Sequence, residues 1–420
     1  MKKIFPIQTE TGCVLKWAWS TIYLKQGTTA SCHRTNQSKI DPNNFADFHN
    51  HPDKLTAREL MLEGKWPKGG CQYCEKIEQA GGMSDRLNHL QQEDHDLNKI
   101  PVELFENPKQ TRVVPTILEI YFNNTCNMAC VYCGSHYSTK WEEENRQFGK
   151  FDNNGVQIGN NIIPSTPDYN RMLSDFWQYL EVNYTSIRYF QVLGGEPFFQ
   201  TEFDQCLDFW EAHPNPDLAF NIITNLKVAP KKFHQYINRF ERMVKNKQIN
   251  RLQITGSLDA WGPEEEYVRW GLNLKEWEEN FTYLLDKPWI VLTVNSAITP
   301  LTIKGLPDLI LRINEWQKQR QDNLEIFHSF MSAISPNWLV PEIFGTGVFD
   351  ADFKRILEVM PLNNTFDINS KEHMAGIFKQ ISSTPRDLTR INQLKTYLTE
   401  LDRRRGTSWP QVFPWLNQEF

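Results

Sequence analysis

Three cysteines have the clearest chemical potential in this sequence: Cys126, Cys130 and Cys133, spaced C-x3-C-x2-C. Thiolates bind soft metals, and three of them on one short loop can hold three irons of a 4Fe–4S cube. The fourth iron then has no ligand within the pattern and can bind another molecule. Two alternatives stay open, which are three unrelated cysteines and a zinc site completed by the nearby His136.

Four more cysteines lie in the first fifth of the chain: Cys13, Cys32, Cys71 and Cys74. Residues 17–32 predict a β-hairpin with a cysteine near each outer end. A short amphipathic helix over 55–62 then leads to a Gly-rich turn that carries a C-x2-C knuckle. Four thiolates suit either zinc or a 4Fe–4S cluster, and the alternative is reduced cysteines without metal. His33 could substitute as a ligand.

The elements that must position the three-cysteine loop alternate between strands and helices. Strands are predicted at six places: 116–122, 187–193, 218–223, 251–257, 289–295 and 324–330. Helical periodicity between them indicates repeated βα units, and hence an α/β fold built on a partial (β/α)6 TIM-like barrel. The three-cysteine loop directly follows the first strand, at the sheet edge where such folds carry their chemistry.

Polar residues follow the other strands at the same edge. After the second strand, Gly194 and Gly195 allow a close backbone approach, and Glu196 offers an acceptor for an ammonium group. The later strand ends add small polar groups: Thr224, Asn225, Ser257, Asp259 and Asn295. These residues predict a polar rim over the three-cysteine loop, although each alone is also a plausible strand-end cap.

Taken together, these motifs resemble the radical S-adenosylmethionine (radical SAM) superfamily over about residues 115–330. Tyr132 before the last cysteine matches the family pattern, and 267–271 matches a Y-x-R-x-G stretch. The resemblance implies that S-adenosylmethionine chelates the open iron, with Gly194, Gly195 and Glu196 at its amino group. It places Tyr132 near the adenine and Arg269 near the methionine carboxylate. The remaining implied cofactor contacts, to ribose or carboxylate, come from Thr224, Asn225, Ser257 and Asn295, while Asp259 completes a Ser-x-Asp pattern.

The chemistry implied by the resemblance is reductive. A one-electron donor such as flavodoxin or ferredoxin reduces the cluster, S-adenosylmethionine is cleaved, and a 5′-deoxyadenosyl radical takes a hydrogen atom from substrate. The implied substrate is a peptide or protein side chain, or a similar small molecule. That step requires no general base or nucleophile, and we identify no catalytic acid–base set.

The cysteine-rich segment over about 10–90 resembles the twitch and SPASM modules that carry auxiliary clusters in this superfamily. Those modules normally follow the barrel, whereas this one precedes it. We expect a second, auxiliary 4Fe–4S cluster in a module over 1–100, the barrel over 101–335, and a helical region over 336–420 that covers the barrel. Helices are predicted at 349–360, 370–381 and 386–402. The three arginines at 403–405 follow the last of them, and positive charge is favourable at a helix C-terminus.

Composition limits the remaining possibilities. The 420 residues carry a net charge of −6, which argues against nucleic-acid binding through bulk electrostatics but leaves a local basic groove open. The start of the chain lacks the apolar stretch of a signal peptide, and no apolar run reaches about 20 residues, so we expect a cytoplasmic protein with reduced cysteines. The alternative functions are a radical SAM enzyme that acts on RNA or a nucleoside, and a non-catalytic iron–sulfur or zinc protein.

Three further expectations concern single segments. The first βα connection, 134–186, is unusually long, and we expect it to help hold the substrate. The acidic run 142–144 is interpreted as a solvated face. Cys206, on an apolar helix face, is expected to be a buried thiol.

Overall fold

The computed structural model describes residues 7–79, 84, 86–87, 100–159, 164–320 and 324–420. Eleven strands are found in these ranges: β1 Trp19–Tyr23, β2 Thr28–Ala30, β3 Ser38–Lys39, β4 Ile117–Tyr121, β5 Phe151–Asn153, β6 Val156–Ile158, β7 Tyr189–Leu193, β8 Asn215–Thr224, β9 Ile249–Ser257, β10 Ile290–Ile298 and β11 Ile326–Ser332. Nine of them form one sheet in the order β11-β10-β9-β8-β7-β4-β1-β2-β3, and β5 and β6 pair separately.

All six predicted strands are confirmed as β4 and β7 to β11, and they run parallel to one another. The α/β class with a mostly parallel sheet is therefore confirmed. The described strands at the two ends of the sheet, β3 and β11, do not pair with each other. Its curvature into a partial barrel stays a prediction.

The N-terminal hairpin is joined to this sheet, and the separate module over 1–100 stays a prediction. β1 and β2 pair antiparallel as predicted, but β1 also pairs in parallel with β4, from Trp19 opposite Ile117 to Tyr23 opposite Tyr121. Without β1, the outer edge of β4 would present unpaired backbone groups. A partner almost 100 residues away leaves no local signal in the sequence. The boundaries near residues 100 and 335 stay predictions.

Helices cover one face of the sheet. The helices along the parallel strands are Tyr169–Asn183, Thr201–Ala212, Pro230–Lys245, Leu274–Thr282 and Leu306–Gln319. The others are Val14–Ala18, Pro52–Leu62, Gln72–Gln79, Glu103–Glu106, Thr139–Phe148, Pro263–Val268, Asp350–Val359, Thr365–Ser383, Leu388–Arg405 and Trp409–Val412. The three C-terminal helices predicted from the sequence are thus confirmed. No helix in the described ranges is both long and apolar enough to span a bilayer.

The two faces of the sheet differ in polarity because strand side chains alternate. On β4, Leu118 and Ile120 join the main buried core, while Glu119 points the other way. There the Glu119 carboxylate accepts hydrogen bonds from Thr21 Oγ1 at 2.5 Å and Gln191 Nε2 at 3.1 Å, and Asn221 Nδ2 donates to Gln191 Oε1 at 2.8 Å. A hydrogen-bonded polar row therefore crosses four neighbouring parallel strands.

Candidate metal and cofactor site

The three-cysteine loop leaves β4 and is pressed against the turn that follows β7. The Glu196 N–H donates to the Thr125 carbonyl at 2.7 Å. Gly195 has a φ of +57°, and a Cβ atom at this position would lie 2.1 Å from the Thr125 oxygen. The sequence suggested that this glycine admits a ligand. The structure shows that it also admits the backbone of the three-cysteine loop, one residue before Cys126.

The segment 267–271, which carries Arg269, lies along a second side of the three-cysteine loop. The backbone N–H of Ala129 donates to the Trp270 carbonyl at 2.9 Å, and that of Val131 donates to the Val268 carbonyl at 2.8 Å. The two segments therefore pair like short strands. This pairing places Arg269 next to the cysteines.

Three side chains outside the loop donate hydrogen bonds to its backbone carbonyl groups. Trp141 Nε1 donates to the Cys130 carbonyl at 2.9 Å, and Ser138 Oγ donates to the Met128 carbonyl at 2.6 Å. Tyr397, on helix Leu388–Arg405, donates its hydroxyl to the Val131 carbonyl at 2.5 Å. The loop is thus held on several sides, so its three thiols have a fixed setting.

The three thiols are partly buried and influence one another. Burial raises the pKa of Cys126 to about 12 and that of Cys133 to about 11, and it also raises the pKa of Cys130. The nearby Arg269 opposes the shift at Cys130 and Cys133. Metal binding must therefore displace protons from these thiols. The Asn225 side-chain nitrogen lies 3.9 Å from Cys126 Sγ, which brings the end of β8 to the loop.

The three thiols are the donor set that this loop offers to a metal group. Within the described ranges, no three His, Cys, Asp or Glu side chains are placed to hold a single metal ion, and this includes the four N-terminal cysteines. His136 packs against Tyr137, with ring centroids 4.3 Å apart. Three thiols on one braced loop fit the donor set for three irons of a 4Fe–4S cluster, and the zinc alternative with His136 stays open.

Glu196 ties the ends of β7 and β8 together. Its fully buried carboxylate accepts hydrogen bonds from Thr224 Oγ1 and from the Asn225 backbone N–H, each at 2.7 Å. Burial raises its pKa to about 7. Both carboxylate oxygens thus already accept a hydrogen bond from the protein, one from each donor. The predicted amine contact stays a prediction.

Arg269 belongs to a buried charged cluster beside the cysteines. It lies 2.8 Å from Asp259 Oδ1 and 3.1 Å from Glu265 Oε1, and Tyr132 donates its hydroxyl to Asp259 Oδ2 at 2.6 Å. Burial, followed by the charge of Asp259, raises the pKa of Glu265 well above its usual range. Glu265 was not predicted from the sequence, although its i,i+4 spacing to Arg269 could have indicated this ion pair.

The last two rim residues lie side by side. Ser257, the last residue of β9, is the register partner of Asn295, which lies three residues before the end of β10. Asn295 Oδ1 accepts a hydrogen bond from Ser329 Oγ at 2.9 Å on the neighbouring strand β11. The structure therefore places every predicted rim residue at one sheet edge, and their contacts with a cofactor stay predictions.

The four N-terminal cysteines come together although 61 residues separate the first from the last. One pocket is lined by all four, Cys13, Cys32, Cys71 and Cys74, together with Lys16 and Arg86. Burial raises the pKa of Cys13 to about 12, and the neighbouring Cys32 adds to this shift. Of the residues that follow Cys74, 80–83, 85 and 88 lie outside the described residues.

One expectation about charged residues is wrong, and another is confirmed but incomplete, since Arg403, Arg404 and Arg405 do lie in the last turn of helix Leu388–Arg405. The acidic run 142–144 is not simply a solvated face, because Glu142 accepts hydrogen bonds from Lys25 and Asn124, and Glu144 pairs with the buried Arg405 at 2.9 Å. Arg405 therefore does more than balance the helix dipole, since it joins helix Leu388–Arg405 to the long βα connection. The expectation for Cys206 is confirmed, because its side chain is fully buried.

Comparison with known proteins finds structural similarity to nine chains of solved structures. No family model matches the chain, and no curated protein matches it. A solved structure titled "Native anSMEcpe with bound AdoMet and Kp18Cys peptide" is similar to it at 14% sequence identity, with a TM-score of 0.33. The match covers 58% of this chain and 57% of that chain, so it spans little more than half of either.

Proposed function

We propose that this chain is a radical SAM enzyme that modifies a peptide or protein side chain, or a similar small molecule. The observation that carries the proposal is the setting of the three-cysteine loop. Its thiols project from a braced loop between the Gly194–Glu196 turn (194–196) and the Arg269 segment, with Asn225 beside Cys126. An ordinary metal loop needs no such polar surroundings.

Different residues at the loop would hold the cluster and the cofactor. Cys126, Cys130 and Cys133 would ligate three irons of a 4Fe–4S cluster, and the open iron would take S-adenosylmethionine. When bound and reduced, this pair supplies a 5′-deoxyadenosyl radical that abstracts hydrogen from substrate. The chain itself orients the cofactor. Ser257 and Asn295 offer hydrogen bonds at the strand ends, and Arg269 fixes a positive charge next to Tyr132.

Further parts of the proposal concern the surroundings of this site. The four N-terminal cysteines would hold an auxiliary 4Fe–4S cluster, and a flavodoxin or ferredoxin would supply electrons. The substrate would be held partly by the 134–186 connection, of which 160–163 lie outside the described residues. We place the enzyme in the cytoplasm, where reduced thiols persist.

The deciding experiment asks whether the chain cleaves S-adenosylmethionine. Protein reconstituted anaerobically with iron and sulfide is incubated with S-adenosylmethionine and dithionite, and 5′-deoxyadenosine is quantified. We expect product from the wild type and from Cys206→Ser, whose buried thiol lies on helix Thr201–Ala212, outside the site. Cys130→Ala should yield none. A wild type that binds about four irons at the three-cysteine loop but forms no 5′-deoxyadenosine would instead be a non-catalytic iron–sulfur protein.

A further inference from the structure

The pocket of the four N-terminal cysteines is backed by buried positive charges that have no carboxylate partner. Lys54 is only 4% exposed, and its ammonium group donates to Ser20 Oγ at 2.7 Å, Thr29 Oγ1 at 2.7 Å and the Ala30 carbonyl at 3.0 Å. All three acceptors are neutral, so burial, followed by the charges of Arg58 and Lys16, lowers the pKa of Lys54 well below its usual range, and the nearby Cys32 opposes this shift. Ala30 lies two residues before Cys32, so this charge sits directly behind the cysteine-bearing end of the hairpin.

Arg58 repeats this arrangement one helical turn later. Its guanidinium is fully buried and donates to the Lys16 carbonyl at 2.7 Å, Asn50 Oδ1 at 2.9 Å and the Thr111 carbonyl at 2.6 Å, with His49 as its remaining partner. These acceptors carry no formal negative charge. Arg58 also braces the backbone of Lys16, a residue that lines the pocket.

Lys16 completes the set. It is 6% exposed and lies at the pocket, where its charge lowers the pKa of Cys71 against the effect of burial. Arg86, which also lines the pocket, differs because it is paired with Glu78. Lys16, Lys54 and Arg58 are therefore three buried cations without a carboxylate counterion in the described part of the chain.

A buried cation without a counterion costs several kcal/mol. Of the three, Lys16 lines the cysteine pocket, Lys54 lies behind Cys32, and Arg58 holds the Lys16 backbone in place. Lys16 and Lys54 are stabilised if the nearby thiols become thiolates. Four thiolates around a zinc ion or an oxidised 4Fe–4S core carry roughly two negative charges, and a one-electron-reduced cluster carries roughly three. Nearby cations therefore favour the reduced cluster over the oxidised one, and zinc has no such reduced state.

We propose that Lys16 and Lys54, with Arg58 bracing the Lys16 backbone, form a cationic shell that raises the reduction potential of an iron–sulfur centre bound by Cys13, Cys32, Cys71 and Cys74. The inference rests on the auxiliary cluster of the proposed function. In the redox step one electron enters the oxidised centre from a donor, and no bond to cysteine forms or breaks. The shell stabilises the added negative charge, so the centre is suited to accept electrons.

The test uses the full chain with Cys126, Cys130 and Cys133 replaced by alanine, so that only the four-cysteine centre assembles. The protein is reconstituted anaerobically with iron and sulfide, and the midpoint potential is measured by a redox titration followed by electron paramagnetic resonance. We expect Lys54→Met and Lys16→Met each to disfavour reduction at least tenfold, a lowering of about 59 mV for a one-electron couple. Lys65→Met is the matched control, because Lys65 is exposed and pairs with Glu63.

Lys54→Arg separates the role of charge from that of packing, since it keeps the positive charge. We expect it to retain the wild-type potential. If Lys54→Met assembles no centre while Lys54→Arg does, that result also supports the shell, because Lys54→Arg keeps the positive charge at residue 54 and Lys54→Met removes it. Unchanged potentials in both methionine variants would overturn the proposal, and so would a centre that selects one zinc ion when iron, sulfide and zinc are all offered. These results do not depend on S-adenosylmethionine cleavage, so the proposed function can fail separately.

Discussion

Gly195 provides a sharp test of how the three-cysteine loop is positioned. In Gly195→Ala the new methyl group would lie 2.1 Å from the Thr125 oxygen and 2.7 Å from the Thr125 carbonyl carbon. Both are backbone atoms, so no flexible side chain can move aside. The loop must shift, and with it the neighbouring Cys126.

The size of the effect has two parts. A non-glycine residue in the left-handed region costs about 1–2 kcal/mol, and overpacking against a fixed neighbour costs about 1–3 kcal/mol. We therefore expect the free energy of unfolding to fall by about 2–5 kcal/mol. Gly406 is the matched control, because it has a φ of +68° but nothing within 4 Å of the place that a Cβ atom would occupy. Gly406→Ala should lose only the backbone part, about 1–2 kcal/mol.

Two measurements test this prediction. Urea unfolding of the metal-free variants gives the stability difference. Iron content after reconstitution, in a background with Cys71 and Cys74 replaced by alanine, reports on the three-cysteine loop alone. We expect Gly195→Ala to lose most of its iron and Gly406→Ala to keep it. Equal destabilisation of the two variants, with iron retained in both, would refute the idea that Gly195 sets the position of the loop.

Two further predictions concern buried charge. Arg269→Gln leaves Asp259 and Glu265 facing each other without a cation, so we expect a loss of about 3–5 kcal/mol in urea unfolding. The exposed Arg403→Gln should change stability far less, and similar losses in both would contradict a buried cluster. The pKa of Glu196, raised by burial to about 7, means that the folded state binds an extra proton between about pH 4.5 and 7. Its contribution to stability is therefore present at low pH and lost as the pH rises to 7, by up to about 3 kcal/mol. Glu196→Gln should flatten this part of the stability–pH curve, and an unchanged slope would count against the assignment.

Local patterns in the sequence were enough to predict the sheet strands and the positions of the cysteines relative to them. Alternating apolar residues located β4 and β7 to β11, and the βα order predicted their parallel pairing. Strand ends of parallel neighbours meet at one edge, so the polar rim followed from the same pattern. The fully buried Cys206 was predictable from the apolar helix face around it.

Contacts between distant segments could not be predicted in this way. Nothing local indicates that β1 pairs with β4, or that Tyr397 donates a hydrogen bond to the three-cysteine loop. The acidic run 142–144 looked solvated because its partner Arg405 lies more than 250 residues later.

The sequence by itself determined the chemistry available to this protein, because ligand type and spacing are local properties: three thiols on one loop and four more near the start of the chain. Only the tertiary structure decided the electrostatic setting of those thiols. It turned Glu196 inward, placed Arg269 between two buried carboxylates, and gathered Lys16 and Lys54 around the four-cysteine pocket without a carboxylate partner. Burial and charge depend on what packs around a residue, and that is fixed by the fold rather than by sequence neighbours.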